Sequence, residues 1–232
     1  MRTTTSAELG YQDLPSLMAR LTGDQKHDHA SASTLDVLWV LYDRVLDISA
    51  DRLADPARDR FLLSKGHGPS AYYAVLAAKG FVPVEWLSGF GDFDSALGHH
   101  PDRVLVPGVE ISSGSLGHGL PLGVGIALGL RAQKIDARVV VLVGDAELNE
   151  GSNAEALEFA AASELDALTV VAIDNASTTW PWRGGLETRF EVAGWESARV
   201  PGRDHSALAA ALARRPGGNA PHLVVAEVEA AS

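Results

Sequence analysis

Continuous apolar runs and a segment with helical spacing of apolar residues follow one another in the middle of the chain. Residues 138–143 and 168–173 are short, continuous apolar runs rich in β-branched side chains, and polar residues close both of them. Such runs are typical of strands that are buried on both faces of a sheet. Between them, residues 153–165 place apolar side chains at helical spacing. The three segments predict a βαβ unit, in which both strands end at the same edge of the sheet.

The same pattern continues on both sides of this unit. It predicts helices over residues 14–22, 33–48, 70–79, 120–132 and 206–214, and strands over residues 61–63, 196–200 and 222–229. Alternating strands and helices predict an α/β fold with a doubly wound, mostly parallel sheet flanked by helices. A chain of 232 residues suits one domain, which we place at 13–232 after a loosely held arm at 1–12. Residues 177–185, which carry Trp180 and Trp182, are predicted to form a loop.

An oxygen-bearing side chain follows each strand of the predicted βαβ unit. Asp145 lies just after the first strand, and Asn175 lies thirty residues further along (175 − 145). Ligands of open α/β sheets bind at the edge where such residues meet. A carboxylate and an amide beside a helix N-terminus suit Mg²⁺ that carries a diphosphate, because Mg²⁺ takes few protein oxygens and completes its octahedron with phosphate and water.

Composition excludes several classes of function. The formal net charge of −11 argues against a nucleic-acid partner. The absence of cysteine excludes a disulfide framework and thiolate chemistry. No apolar stretch reaches membrane length, and the N-terminus lacks the apolar core of a signal peptide, so we expect no membrane partner and a cytoplasmic location.

Several motifs follow one another in an order that resembles the N-terminal part of transketolases. These are the segments at 58–68, 98–101, 107–110, 113–119 and 144–151, and the resemblance covers roughly residues 14–228. It implies the thiamine-diphosphate-binding fold, with thiamine diphosphate and Mg²⁺ (or another divalent cation) as cofactors. The chain departs from the family at Ala146, which replaces a glycine, at His118, which replaces a glutamine, and in the Trp180 loop.

The resemblance also implies roles for individual residues. Asp145, Asn175 and the backbone carbonyl of Ser177 match the ligands of the cation. The residues that match cofactor contacts are His67, Gly114, Ser115, Leu116, Gly117, Gly144, Asp145, Ala146, Glu147 and Asn175. The residues that match catalytic positions are His27, His67, His100 and Glu150, of which Glu150 reaches toward a partner active site.

A second domain, which binds the aminopyrimidine ring of the cofactor in full-length transketolases, has no counterpart in this sequence. We therefore expect the N-terminal subunit of a split transketolase that transfers a two-carbon ketol unit between sugar-like substrates. Its obligate partner would be a C-terminal transketolase subunit. The expected assembly is a heterotetramer with two copies of each chain.

Other interpretations stay open at this point. The chain could belong to a thiamine enzyme that acts on a 2-oxo acid, or it could be a non-catalytic relative. A dinucleotide-binding domain is disfavoured because no Gly-x-Gly-x-x-Gly fingerprint follows a strand. A transition-metal site built from His27, Asp28, His29, His99 and His100 lacks a His-Glu-x-x-His helix. His205 and His222 are interpreted as structural residues.

Overall fold

Five parallel strands form the centre of the molecule. The computed structural model describes residues 9–21, 28–213 and 219–229. The strands are β1 (Arg60–Leu63), β2 (Val139–Gly144), β3 (Leu168–Asp174), β4 (Glu196–Pro201) and β5 (His222–Glu227). They lie in the order β1-β2-β3-β5-β4, and every pair is parallel. This confirms the predicted α/β fold, and all the pairing within the described sheet is parallel.

Helices cover both faces of the sheet. One face carries α1 (Leu14–Met18), α2 (Asp28–Val40), α3 (Ser70–Ala78) and α7 (His205–Ala213); the other carries α4 (Gly119–Gln133), α5 (Gly151–Ala162) and α6 (Gly185–Ala193). Successive residues of β2 alternate between the two cores, so that Val140 packs on the first face and Val141 on the second. Because both sides are buried, the central strands are continuous apolar runs in the sequence.

The register of the sheet sets the position of the functional edge. Gly144 at the end of β2 pairs with Ile173 near the end of β3. The N–H of Asp145 continues this ladder by donating to the carbonyl of Ile173 at 3.0 Å. The residues that follow β2 and β3 therefore leave the sheet side by side, as the spacing in the sequence predicted.

Several helix boundaries differ from the predicted ones. The helix predicted at 33–48 begins at Asp28, and beyond Val40 the chain continues as one π-helical turn, Leu41–Val45, closed by the N–H of Leu46 on the carbonyl of Leu41 at 2.8 Å. The helix predicted at 14–22 ends at Met18. The helix predicted at 153–165 ends at Ala162, because Glu164 takes a left-handed conformation (φ 51°) that ends the helix.

Helix α6 was missed by the sequence analysis. It has nine residues, of which only Leu186 and Phe190 are buried, and Gly184 precedes it. α3 and α7 have the same length, but α6 is richer in polar and charged side chains, so the apolar pattern that predicted those two helices is weak here. Short 3₁₀ helices also occur at Tyr11–Asp13, Ala50–Arg52, Val84–Gly89 and Ala146–Asn149.

The N-terminal segment is described from Leu9 onward. The hydroxyl of Tyr11 donates to Asp36 Oδ1 at 2.6 Å, so residues 9–12 of the predicted arm contact the domain, and residues 1–8 lie outside the described residues. Within the described ranges, no helix has both the length and the apolar character needed to cross a membrane.

Two glycines of α4 provide a matched test of this packing. A Cβ on Gly123 would lie 2.5 Å from Cγ2 of Val141, whereas a Cβ on Gly125 would meet nothing within 4 Å. Gly123→Ala should lower the free energy of unfolding by about 1–3 kcal/mol through overpacking. Gly125→Ala should raise it by roughly 0.5–1 kcal/mol through helix propensity. Urea unfolding of both variants checks this, and a Gly123→Ala protein as stable as wild type would contradict the packing.

Candidate functional site

A glycine-rich turn at 113–118 leads into α4 at the carboxyl edge of the sheet. Gly114 (φ 130°) and Gly117 (φ 84°) adopt backbone conformations that other residues rarely take. A Cβ on Gly114 would lie 2.5 Å from the ring of His100, and one on Gly117 would lie 2.6 Å from Cβ of Glu150. The turn thus packs against two of the predicted catalytic residues. It also precedes a helix of 15 residues, whose N-terminus favours negative charge.

The carboxylate of Glu147 joins three separate segments beneath this turn. The N–H of Gly117 donates to Oε1 at 2.9 Å, the hydroxyl of Ser64 also donates to Oε1, and the N–H of Gly144 donates to Oε2 at 3.2 Å. Burial raises the pKa of Glu147, and these hydrogen bonds act in the opposite direction. Glu147 stays a predicted cofactor contact, and both of its oxygens accept hydrogen bonds from the protein that position the turn against the end of β2.

Asp145 and Asn175 lie at the ends of neighbouring strands. Asp145 is buried, and its carboxylate accepts the N–H groups of Ala146 (2.7 Å), Ser177 (2.8 Å) and Thr178 (3.3 Å), as well as the hydroxyl of Ser177. Asn175 is also buried, and its Oδ1 has no hydrogen-bond partner among the described residues. A buried acceptor without a partner is costly, so this oxygen is suited to receive a ligand.

Lys65 is a charged neighbour of the site to which the sequence analysis gave no role. Its Nζ donates to Ser33 Oγ at 2.9 Å, and its aliphatic carbons are the nearest atoms to a Cβ built on Gly144, at 3.4–3.6 Å. Desolvation lowers the pKa of Lys65 to about 8, and the negative charges of Asp145 and Glu147 oppose that shift. The signal was present, because Lys65 stands in the motif that directly follows β1.

Two of the predicted catalytic histidines lie together. The rings of His67 and His100 meet edge to face, with centroids 5.3 Å apart. His67 is half-buried and His100 is exposed. His27 lies outside the described residues. Glu150 is exposed and directly precedes α5.

The remaining histidines have other surroundings. His99 packs against Phe90 with ring centroids 5.2 Å apart, and His118 is exposed just before α4. His205 Nε2 lies 2.7 Å from Asp36 Oδ1, and His222 is fully buried on β5. No group of three or more His, Asp or Glu side chains in the described part of the chain has the geometry of a metal site, and the side chains of residues 27–29 lie outside that part.

The loop after β3 carries two tryptophans. The side chain of Trp180 is 76% exposed, whereas the ring of Trp182 lies 4.0 Å from the guanidinium carbon of Arg189 in a cation–π contact. Near the start of the loop, Thr178 Oγ1 accepts a hydrogen bond from Asn149 Nδ2 at 2.9 Å. The loop is therefore fastened beside Asp145, and it presents an apolar side chain to solvent.

The parallel sheet, the glycine turn and the paired strand ends together define an α/β domain suited to a diphosphate. The family described as "Transketolase, thiamine diphosphate binding domain" matches residues 22–227. The chain belongs to the transketolase family.

Related proteins agree with this assignment. The chain is 36% identical over 206 residues to one of the subunits of the apulose-4-phosphate transketolase of Actinobacillus succinogenes, covering 86% of this chain and 75% of that protein. It is 32% identical over 192 residues to "6-deoxy-6-sulfo-D-fructose transketolase subunit SqwG" of a Clostridium species. The match covers 80% of this chain and 70% of that protein. It is also 53% identical over 208 residues to a protein named "Ferredoxin fas2" of Rhodococcoides fascians, covering 89% and 68%.

Solved structures show the same fold. A mutant transketolase from Pichia stipitis superposes with a TM-score of 0.78 at 25% identity, covering 94% of this chain and 36% of that chain. The transketolase of Leishmania mexicana superposes with a TM-score of 0.77 at 24% identity. The chain thus spans about a third of the length of these solved transketolases.

The role of Glu147 can be tested with an amide. Glu147→Gln keeps the shape but places an NH₂ group among three donors, so it should lower the free energy of unfolding by about 1–3 kcal/mol. Glu155→Gln, at an exposed position of α5, is the control and should leave the free energy of unfolding unchanged. Chemical denaturation of the two variants measures the difference. Equal stability would show that the three hydrogen bonds to Glu147 do not hold the turn.

The lowered pKa of Lys65 predicts a specific pH dependence of stability. Between pH 8 and 10.5 the unfolded chain keeps the proton on Lys65 and the folded chain has lost it, so this residue makes the protein more stable as pH rises. Lys65→Met should remove this contribution, which is about 3 kcal/mol in full. Unfolding of both proteins at pH 7.5, 8.5 and 9.5 measures it, and a constant difference between them across this range would refute the shift.

Proposed function

We propose that this chain is the diphosphate-binding subunit of a split transketolase that depends on thiamine diphosphate and Mg²⁺ and transfers a two-carbon ketol unit between sugar-like substrates. The observation that carries the proposal is the buried, unpartnered Oδ1 of Asn175 beside Asp145, at the edge where the glycine turn begins α4. Relatives that are named as transketolase subunits match over most of their own length, which supports the proposal that this chain is a subunit too.

The described side chains fit the cation and the diphosphate. In the proposed site, Asp145 and Asn175 supply two oxygens to Mg²⁺ and the carbonyl of Ser177 supplies a third, leaving the other positions to phosphate and water. The backbone N–H groups of the glycine turn and the positive end of α4 attract the diphosphate. The other proposed contacts to the cofactor are His67, Gly114, Ser115, Leu116, Gly117, Gly144 and Ala146. Glu147 supports these contacts from below through Gly117 and Gly144.

In this proposal, the histidines transfer protons to and from the substrate. Thiamine diphosphate, when bound, supplies the nucleophilic carbon and the electron sink for cleaving a carbon–carbon bond. His67 and His100, whose rings are in contact, hold protons for the hydroxyl and carbonyl oxygens of the substrate near neutral pH. We assign the same role to His27. Glu150 is exposed at the carboxyl edge, where its carboxylate is available to a partner chain.

A partner chain completes the site in this proposal by binding the aminopyrimidine end of the cofactor. The outer face of α4 supports such an interface, since Leu122 is 48% exposed and a Cβ on Gly125 or Gly129 would meet nothing within 4 Å. We assign Leu116 and the exposed Trp180 to the same interface. A heterotetramer with two copies of each chain is the proposed assembly.

A second candidate function is a thiamine enzyme that decarboxylates a 2-oxo acid and passes electrons to an acceptor. The relative named as a ferredoxin favours it, because ferredoxins carry electrons. The present sequence has no cysteine, so it cannot ligate an iron–sulfur cluster through thiolates, and the electron carrier would be another protein.

Reconstitution distinguishes these functions. The chain mixed with a pyrimidine-binding transketolase subunit from the same genome should transfer ketol units, and the chain alone should not. Asn175→Ala should weaken Mg²⁺-dependent binding of thiamine diphosphate on the order of 100-fold or more, since even outer-shell partners of a metal cost 10–100-fold. Asn219→Ala, an exposed control, should bind normally.

Three outcomes would count against the proposal. They are turnover by the lone chain, unchanged binding by Asn175→Ala, and decarboxylation of a 2-oxo acid without ketol transfer. The last outcome supports the second candidate.

A further inference from the structure

One guanidinium connects the two ends of the loop that carries Asn175. Arg199 lies on β4, and its Nη1 donates to Asp174 Oδ2 at 2.8 Å. Its Nε and Nη2 donate to the two oxygens of Glu187 on α6, with Nη2 at 3.0 Å from Oε2. Asp174 is the last residue of β3, directly before the loop at 175–184, and Glu187 lies in the first turn of α6, which follows the loop.

We propose that Arg199 is a positioning residue for the cofactor site. Its guanidinium binds the end of β3 and the first turn of α6, on either side of the 175–184 loop, and thereby keeps the amide oxygen of Asn175 beside Asp145. Arg199 acts through Asp174 and Glu187 and does not touch the cofactor itself. The inference rests on the proposed function for what Asn175 binds, and on the structure alone for how the loop is held.

The geometry requires arginine rather than any cation. The planar fork of a guanidinium can bind both oxygens of one carboxylate and still donate to another, which an ammonium cannot do in the same plane. All three side chains are partly buried. The exposed fraction is 33% for Arg199, 25% for Asp174 and 19% for Glu187. Hydrogen bonding to Glu187 raises the pKa of Arg199, and the same contact lowers the pKa of Glu187.

Other contacts fasten both halves of the loop, and Arg199 adds to them at its junction with α6. The first half is fastened by the hydrogen bonds from Ser177 and Thr178 to Asp145. The second half ends at Gly184 and Gly185, which take left-handed φ angles of 84° and 88°, and the hydroxyl of Thr188 donates to the carbonyl of Gly184 at 2.7 Å. Arg199 binds just beyond these glycines, so it adds a restraint where the loop joins α6.

Limited proteolysis tests the restraint in the cofactor-free full chain. Arg183 is exposed within the loop and provides a tryptic site, and exposed Arg103 provides a reference site elsewhere. Arg199→Met should raise cleavage at Arg183 relative to Arg103 by roughly tenfold, because cleavage follows the population of the opened segment. Arg199→Lys should give an intermediate ratio. Arg52→Met, which also removes an arginine bound to two carboxylates, should leave the ratio unchanged.

Calorimetry on the partner-bound complex tests the positioning role. It measures the affinity for thiamine diphosphate in the presence of Mg²⁺. Arg199→Met should weaken binding by about tenfold at a temperature where the variant is fully folded. Arg199→Lys should restore only part of it, which a purely structural loss of charge would not predict. An unchanged cleavage ratio would overturn the proposal, and so would faster cleavage with normal binding. A wild-type complex that binds no cofactor would instead refute the proposed function, which the cleavage ratio does not test.

Discussion

The buried carboxylate of Glu147 is the contact on which the arrangement of the site depends. Through Gly117, Gly144 and Ser64 it ties together the turn before α4, the end of β2 and the segment after β1. Ser64 extends the connection, because its hydroxyl accepts the N–H of Gly119 at 3.0 Å. A charged group is well suited to this task, since hydrogen bonds to a carboxylate are stronger than those between neutral groups. The cost of burying it is offset only while all three donors stay in place.

Around this contact, the site combines rigid and adjustable parts. The ends of β2 and β3 are fixed by the ladder of a sheet that is buried on both faces. The residues at the rim, such as His100, Glu150 and Trp180, are exposed. A rigid base with an open rim is the usual arrangement where loops carry function on a stable scaffold.

The sequence was sufficient for the fold and for the strand ends that meet at the candidate site. Continuous β-branched runs predicted the buried strands, and the spacing of Asp145 and Asn175 predicted which strand ends meet. It was not sufficient for the contacts beneath the site. Ser64 and Glu147 are 83 residues apart, and Arg199 and Asp174 belong to different strands that are not neighbours in the sheet. Such pairs meet only in the folded chain. The spacing of apolar and polar residues along the sequence therefore does not predict them.

The polar cluster around Asp36 has a consequence for the connectivity of the chain. Asp36 accepts hydrogen bonds from Tyr11 and from Arg203, and Arg203 also lies 3.2 Å from Glu229. Residues near the two limits of the described chain are thus linked through one carboxylate, so the path of the backbone nearly closes on itself. We expect that a short bridge between Glu229 and Tyr11 would allow new ends to be opened in a surface loop, since the described segments that it joins already meet at Asp36.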